Sequence, residues 1–104
     1  MLGPYPISET TSLPAGKIGA YILSKDGKTA HYVGRSDADL ASRLMSYRSS
    51  DYTTFWYEFS ASVVLAYYLE CEWYHKYHPA DNQNHPAVPP GASWKCPVAG
   101  CSWG

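Results

Sequence analysis

A small α+β domain, with a three-stranded antiparallel sheet flanked by helices in the order ββαβα, is predicted from three observations. Two β-prone runs, 18–23 and 30–33, flank Ser24-Lys25-Asp26-Gly27-Lys28, whose Asp-Gly pair is a strong hairpin signal. After Gly34 the apolar period changes, and Leu40, Leu44 and Tyr47 recur at i, i+4 and i+7 as on one face of a helix. The β-branched and aromatic run 53–59 then gives way to a long apolar stretch that Pro79 stops.

Taken in order, residues 1–16 contain Pro4, Pro6 and Pro14 around a polar Ser-Glu-Thr-Thr-Ser run, and are expected to be an extended lead-in without regular structure. The hairpin brings Tyr21 and Tyr32 onto neighbouring strands. The first helix, about three turns capped by Ser36 or Asp37, places Arg43 and Tyr47 four apart on one face, from which both can point toward the hairpin. Ser60 is expected to cap the second helix, 61–77, whose apolar first half 63–69 predicts burial on several sides. Glu70 emerges from the middle of that helix. An unpaired carboxylate there is costly to bury, so it must reach a wet cleft or meet a cation. Residues 17–82 thus form the domain, and 83–104 an irregular, proline-rich tail with a cysteine pair.

Size and composition limit the function. With 104 residues the chain is one domain with no room for an ordinary separate recognition module. A net charge of -1 argues against gripping long duplexes by bulk phosphate neutralisation, so any nucleic-acid contact must rest on a local patch. Lys17, Lys25, Lys28, Arg35, Arg43 and Arg48 precede Glu58, Glu70, Glu72 and Asp81, an asymmetry that suits a phosphate-gripping edge facing a metal site and equally suits solvated surface charge. With no apolar run of membrane-spanning length and no export signal at the start, a soluble intracellular protein, cytoplasmic or nuclear, is expected, with no membrane partner. Its three cysteines point to metal ligation or free thiols rather than to a disulfide framework.

Three stretches in order carry a family resemblance: Gly19-Ala20-Tyr21, then Tyr32-Val33-Gly34 running into Arg35 and Asp39-Leu40-Ala41-Ser42-Arg43, then Glu70 followed by Pro79 and Asn82. Together they resemble the GIY-YIG nuclease superfamily over residues 17–82, with Ala20 where isoleucine is usual. The resemblance implies a metal-dependent endonuclease acting on DNA rather than RNA. In it Tyr21 or Tyr32 takes the proton of the attacking water, Arg43 clamps the phosphate, and Glu70 holds Mg2+ or Mn2+. Tyr21 is favoured as the base with Tyr32 as its hydrogen-bonding partner. Arg35 and Tyr47 are expected at the substrate, and Asn82 beside them, anchoring the chain after the second helix. A tyrosine ionises near pH ~10, so a basic role near neutrality needs roughly 4 kcal/mol of electrostatic help, expected from Arg35, Arg43 and the metal. A protein partner can supply the specificity that so short a chain lacks.

The tail offers a second metal reading. Cys96-Pro97-Val98-Ala99-Gly100-Cys101 resembles half of a zinc ribbon, and Cys71 and His75 share a helix face, so Cys71, His75, Cys96 and Cys101 make a possible structural Zn2+ set. The other outcome is a buried Cys71, exposed histidines and free terminal thiols. Beside the nuclease stand two rival readings: a nucleic-acid-binding or interaction domain of the same fold without useful turnover, and a zinc-stabilised protein whose cleft takes another ligand.

Overall fold

The computed structural model describes residues 1–101. Its elements are β1 (Leu2–Pro6), a 3-10 helix (Ile7–Ser12), β2 (Gly19–Ser24), β3 (Tyr32–Ser36), α1 (Leu40–Met45), β4 (Thr54–Phe59) and α2 (Val63–Tyr77). The sheet is antiparallel and four-stranded, in the order β1-β4-β2-β3. The expectation of three strands is thereby corrected: the stretch read as an irregular lead-in supplies the fourth. Its prolines misled because β1 is an edge strand, where a missing N–H need not break a ladder. Leu2, Tyr5 and Pro6 face Tyr57, Phe55 and Thr54 across an irregular register.

β2 is central and buried along its whole length. Alternation sends its side chains to two layers. Tyr21 and Leu23 pack with Leu40, Leu44, Phe55 and Tyr57 on the side of α1. Ala20 and Ile22 pack with Val33 and Trp73 on the side of α2. At Gly19 an added Cβ would come within 2.5 Å of the Glu58 carbonyl oxygen, so the strand contact itself demands glycine there.

The hairpin turn is tied by Asp26, whose Oδ1 accepts from the backbone N–H of Lys28 and Thr29 at 2.8 and 2.7 Å. Gly27 takes the left-handed φ of +77°. α1 is shorter than expected: Asp39, not Ser36 or Asp37, caps it by accepting from the Ser42 N–H. Beyond Met45 the chain runs in tighter i→i+3 turns, with the Ser46 and Ser50 hydroxyls donating to the carbonyls of Arg43 and Tyr47. α2 starts at Ser62, not Ser60, because the Ser60 N–H continues the sheet contacts by donating to the Ile18 carbonyl. It ends at His78, in the left-handed region at φ 48°, which the following Pro79 favours by excluding right-handed helix there. Among the described residues no helix is long and apolar enough to cross a membrane.

Candidate active site and metal cluster

A cavity of about 720 Å³ opens beside edge strand β3, and Tyr21, Tyr32, Arg43 and Glu70 all line it. It draws on both layers of the fold. Tyr21 and Tyr32 come from the α1 side of the sheet, whereas Arg35, opposite Ala20 in the register, and Glu70 come from the α2 side.

Tyr21 lies opposite Gly34, and the pairing is tight: a Cβ at Gly34 would sit 2.5 Å from both Cζ and Oη of Tyr21. Glycine is therefore required for the Tyr21 phenol to lie flat across β3. The Tyr21 hydroxyl shares a 3.0 Å hydrogen bond with that of Tyr47, not with Tyr32 as expected. Tyr32 faces Leu23, two residues farther along β2, and its ring stands 6.4 Å from that of Tyr21. Tyr47 descends from the turn after α1 instead, so Arg43 and Tyr47 both reach the hairpin although Tyr47 lies beyond the helix expected to carry it. Tyr52 completes a cluster of four rings, and its hydroxyl donates to Asp81 Oδ2 at 2.8 Å.

Glu70 meets a cation. Its Oε1 accepts from Arg35 Nη1 at 2.7 Å, and Arg35 Nε donates to Asp37 Oδ1 at 2.8 Å. One guanidinium thus joins two carboxylates and also lies over the Tyr67 ring. Arg35, expected at the substrate, is taken up in orienting Glu70. Among the described residues Arg43 has no such carboxylate: its guanidinium sits against the Tyr21 phenol and lines the cavity.

Burial dominates the electrostatics. It raises the Glu70 carboxyl to about 6 against the opposing pull of Arg35, so the group is ionised at neutral pH. It also pushes the Tyr21 phenol well above its ordinary range, helped by the Tyr47 hydroxyl and opposed by Arg43. Tyr32 is raised by burial and then by Tyr47. The expected depression of the Tyr21 phenol is therefore not supplied by the arginines, because desolvation outweighs them.

The opposite wall is the segment 81–87. Asn82 secures it with both ends of its amide: Oδ1 accepts from the Val33 N–H at 2.7 Å and Nδ2 donates to the Val33 carbonyl at 2.9 Å. These bonds imitate a further strand on the open edge of β3. Asn82 is thus an anchor, with its amide committed to backbone rather than to a substrate.

A His/Cys cluster that could hold a metal such as zinc lies behind this wall, but its membership differs from expectation. His75, His85, Cys96 and Cys101 bring one ligand atom each to within 4.8 Å of one another. Cys71 is not among them. It is fully buried between Tyr67 and Cys96 in a small apolar cluster, and burial raises its thiol to about 12. His85 takes the fourth place. Cys71 and His75 are linked by helical periodicity, whereas a histidine in the irregular 83–95 stretch has no periodicity to reveal it. The Gln83-Asn84-His85-Pro86 sequence, a metal-capable side chain two turns past the helix, was the available signal. All three cysteines are free of disulfides.

No protein-family model, curated protein or solved structure matches this chain significantly.

Proposed function

We propose that the chain is a divalent-metal-dependent endonuclease that hydrolyses DNA phosphodiester bonds in the manner of the GIY-YIG nucleases it resembles. The observation that carries this reading is the convergence of Tyr21, Tyr32, Arg43 and Glu70, spread over fifty residues of sequence, on one polar cavity.

Mg2+ or Mn2+ is the ion this reading places at Glu70. Glu70, which lines the cavity with Oε1 engaged by Arg35, would give the ion a single carboxylate, the remaining ligands coming from water and substrate. When bound, such an ion supplies positive charge at the phosphate and leaving oxygens. Arg35 holds the carboxylate in place and is itself held by Asp37. Arg43 is the unclaimed planar donor for the scissile phosphate. Tyr21 is the proton acceptor for the attacking water, with Tyr47 fixing the direction of its hydroxyl. Because burial holds the Tyr21 proton tightly, this role depends on added positive charge from Arg43 and the ion. In this reading a protein partner supplies specificity, in keeping with a net charge of -1 that offers little bulk attraction to phosphate.

Incubating the protein with supercoiled and branched DNA in magnesium or manganese tests the proposal, with Arg43→Ala and Glu70→Gln alongside. The wild type is expected to nick or cut and both variants to be inactive. Cutting by both at the wild-type rate rules out this site. A second reading, a nucleic-acid-binding domain without turnover, is favoured by the Arg35–Glu70 pair and the raised Tyr21 phenol. Under it the wild type binds branched DNA but leaves it intact in either metal.

A further inference from the structure

We infer that His75, His85, Cys96 and Cys101 form a structural zinc centre that clips the tail to α2 and, through His85, fixes one wall of the cavity. The two imidazole Nε2 atoms are 3.3 Å apart, and each lies 3.5 Å from a thiol sulfur, His75 from Cys96 and His85 from Cys101. A tetrahedron with zinc–nitrogen bonds of about 2.0–2.1 Å and zinc–sulfur bonds of about 2.3 Å has N–N edges of about 3.3 Å and N–S edges of about 3.6 Å. The N–N edge and these two N–S edges already stand at those separations, and all four ligand atoms lie within 4.8 Å of one another.

The donor chemistry agrees. Two thiolates and two imidazoles select zinc over magnesium, and four protein ligands close the coordination shell as in structural rather than catalytic sites. His85 Nδ1 lies 2.8 Å from the Pro86 carbonyl oxygen, so that nitrogen carries the proton and the Nε2 lone pair faces the cluster. The loop between the cysteines is shaped for the task as well. Gly100 takes a left-handed φ of +85°, and the Cys101 N–H donates to the Val98 carbonyl, folding the second thiol back beside the first. Cys71 and His75 share a helix face, yet Cys71 packs against Tyr67 instead.

The consequence for the cavity follows from where the ligands lie. Residues 81–87 run as a strap along the cavity, fastened at Asn82 to β3 and at His85 to the cluster. Beyond α2 the described chain has no helix or strand; besides the bonds of Asp81 and Asn82 and the contact of the His85 ring with Tyr74, the cluster and the apolar contacts of Val88, Trp94 and Val98 hold it. Removing the metal takes away one of the fastenings at the His85 end of the strap.

Metal analysis of the full chain purified under reducing conditions tests the centre without any nucleic acid, so its outcome is independent of the nuclease reading. One equivalent of zinc is expected in the wild type and in Cys71→Ala, falling to background in His85→Ala and Cys96→Ser. Cobalt substitution of the wild type, which needs no variant to fold, is expected to show tetrahedral absorption with charge transfer from two thiolates rather than three. Hydrogen exchange after chelation is expected to accelerate in 81–87 while β2 stays protected. The centre is refuted by a wild type without stoichiometric zinc, by His85→Ala retaining it, or by a three-thiolate cobalt spectrum. Unchanged exchange in 81–87 after metal removal refutes the strap.

Discussion

Arg35 and Glu70, thirty-five residues apart, meet at 2.7 Å across the gap between β3 and α2, each nearly buried. The pair solves the problem of a carboxylate in the middle of an apolar helix, but only in part, since burial still leaves the Glu70 carboxyl raised from 4.5 to about 6. A carboxyl raised on folding binds its proton more tightly in the native state. Its stabilising contribution is complete below pH 4.5 and is lost as pH rises through about 6. That loss is about 2 kcal/mol at roughly 1.4 kcal/mol per pH unit. Denaturant melts of wild type and Glu70→Gln at pH 4 and pH 7 check it: on going to pH 7 the wild type is expected to lose about 2 kcal/mol relative to the variant. Equal pH dependence in the two proteins contradicts the assignment.

Tyr21→Phe removes a hydroxyl whose partner, Tyr47, is only half-buried. The expected stability cost is small, about 1 kcal/mol, because the hydroxyl left behind on Tyr47 can turn to water. Cleavage is expected to fall by about 10²-fold or more if Tyr21 is the proton acceptor, a size typical of lost acid–base catalysis. Tyr32→Phe, outside the Tyr21–Tyr47 bond, is expected to cost less. Nicking rates of the two variants, with melting curves as the folding control, rank them.

Gly34→Ala is expected to destabilise by about 1–3 kcal/mol, the usual penalty for overpacking. The added methyl meets the Tyr21 ring at 2.5 Å in the most constrained strand of the sheet. A substitution without effect on the denaturation midpoint contradicts the close crossing of Tyr21 over β3.

Asn82→Ala leaves the Val33 N–H and carbonyl without their partners at an otherwise unpaired strand edge. The expected cost is about 1–3 kcal/mol, with faster exchange of the Val33 amide. Asn82→Asp is expected to be intermediate, because it can still accept from the N–H but can no longer donate to the carbonyl. Native-state hydrogen exchange at Val33 reads both.

How much of this was legible in the sequence depended on whether the cause was local. Asp26-Gly27 announced its turn, and the period change after Gly34 announced α1, because turn chemistry and helical spacing act over a few residues. Tyr21, Arg43 and Glu70 were placed on one cavity through the order of their motifs, and the cavity does join them. β1 was missed since prolines argue against a strand until one knows that the strand is at an edge. The Tyr47 partner of Tyr21, the capture of Arg35 by Asp37 and Glu70, and His85 in the cluster are all long-range meetings that no spacing rule encodes.

The central claim is that the cavity's side chains act as one catalytic unit. It is tested most directly by the magnesium-dependent nicking rates of Tyr21→Phe, Arg43→Ala and the double variant. A single site predicts that each single change loses most of the activity and that the double loses little more than the worse single. Independent, multiplying losses, or a wild type with no metal-dependent nicking, contradict it.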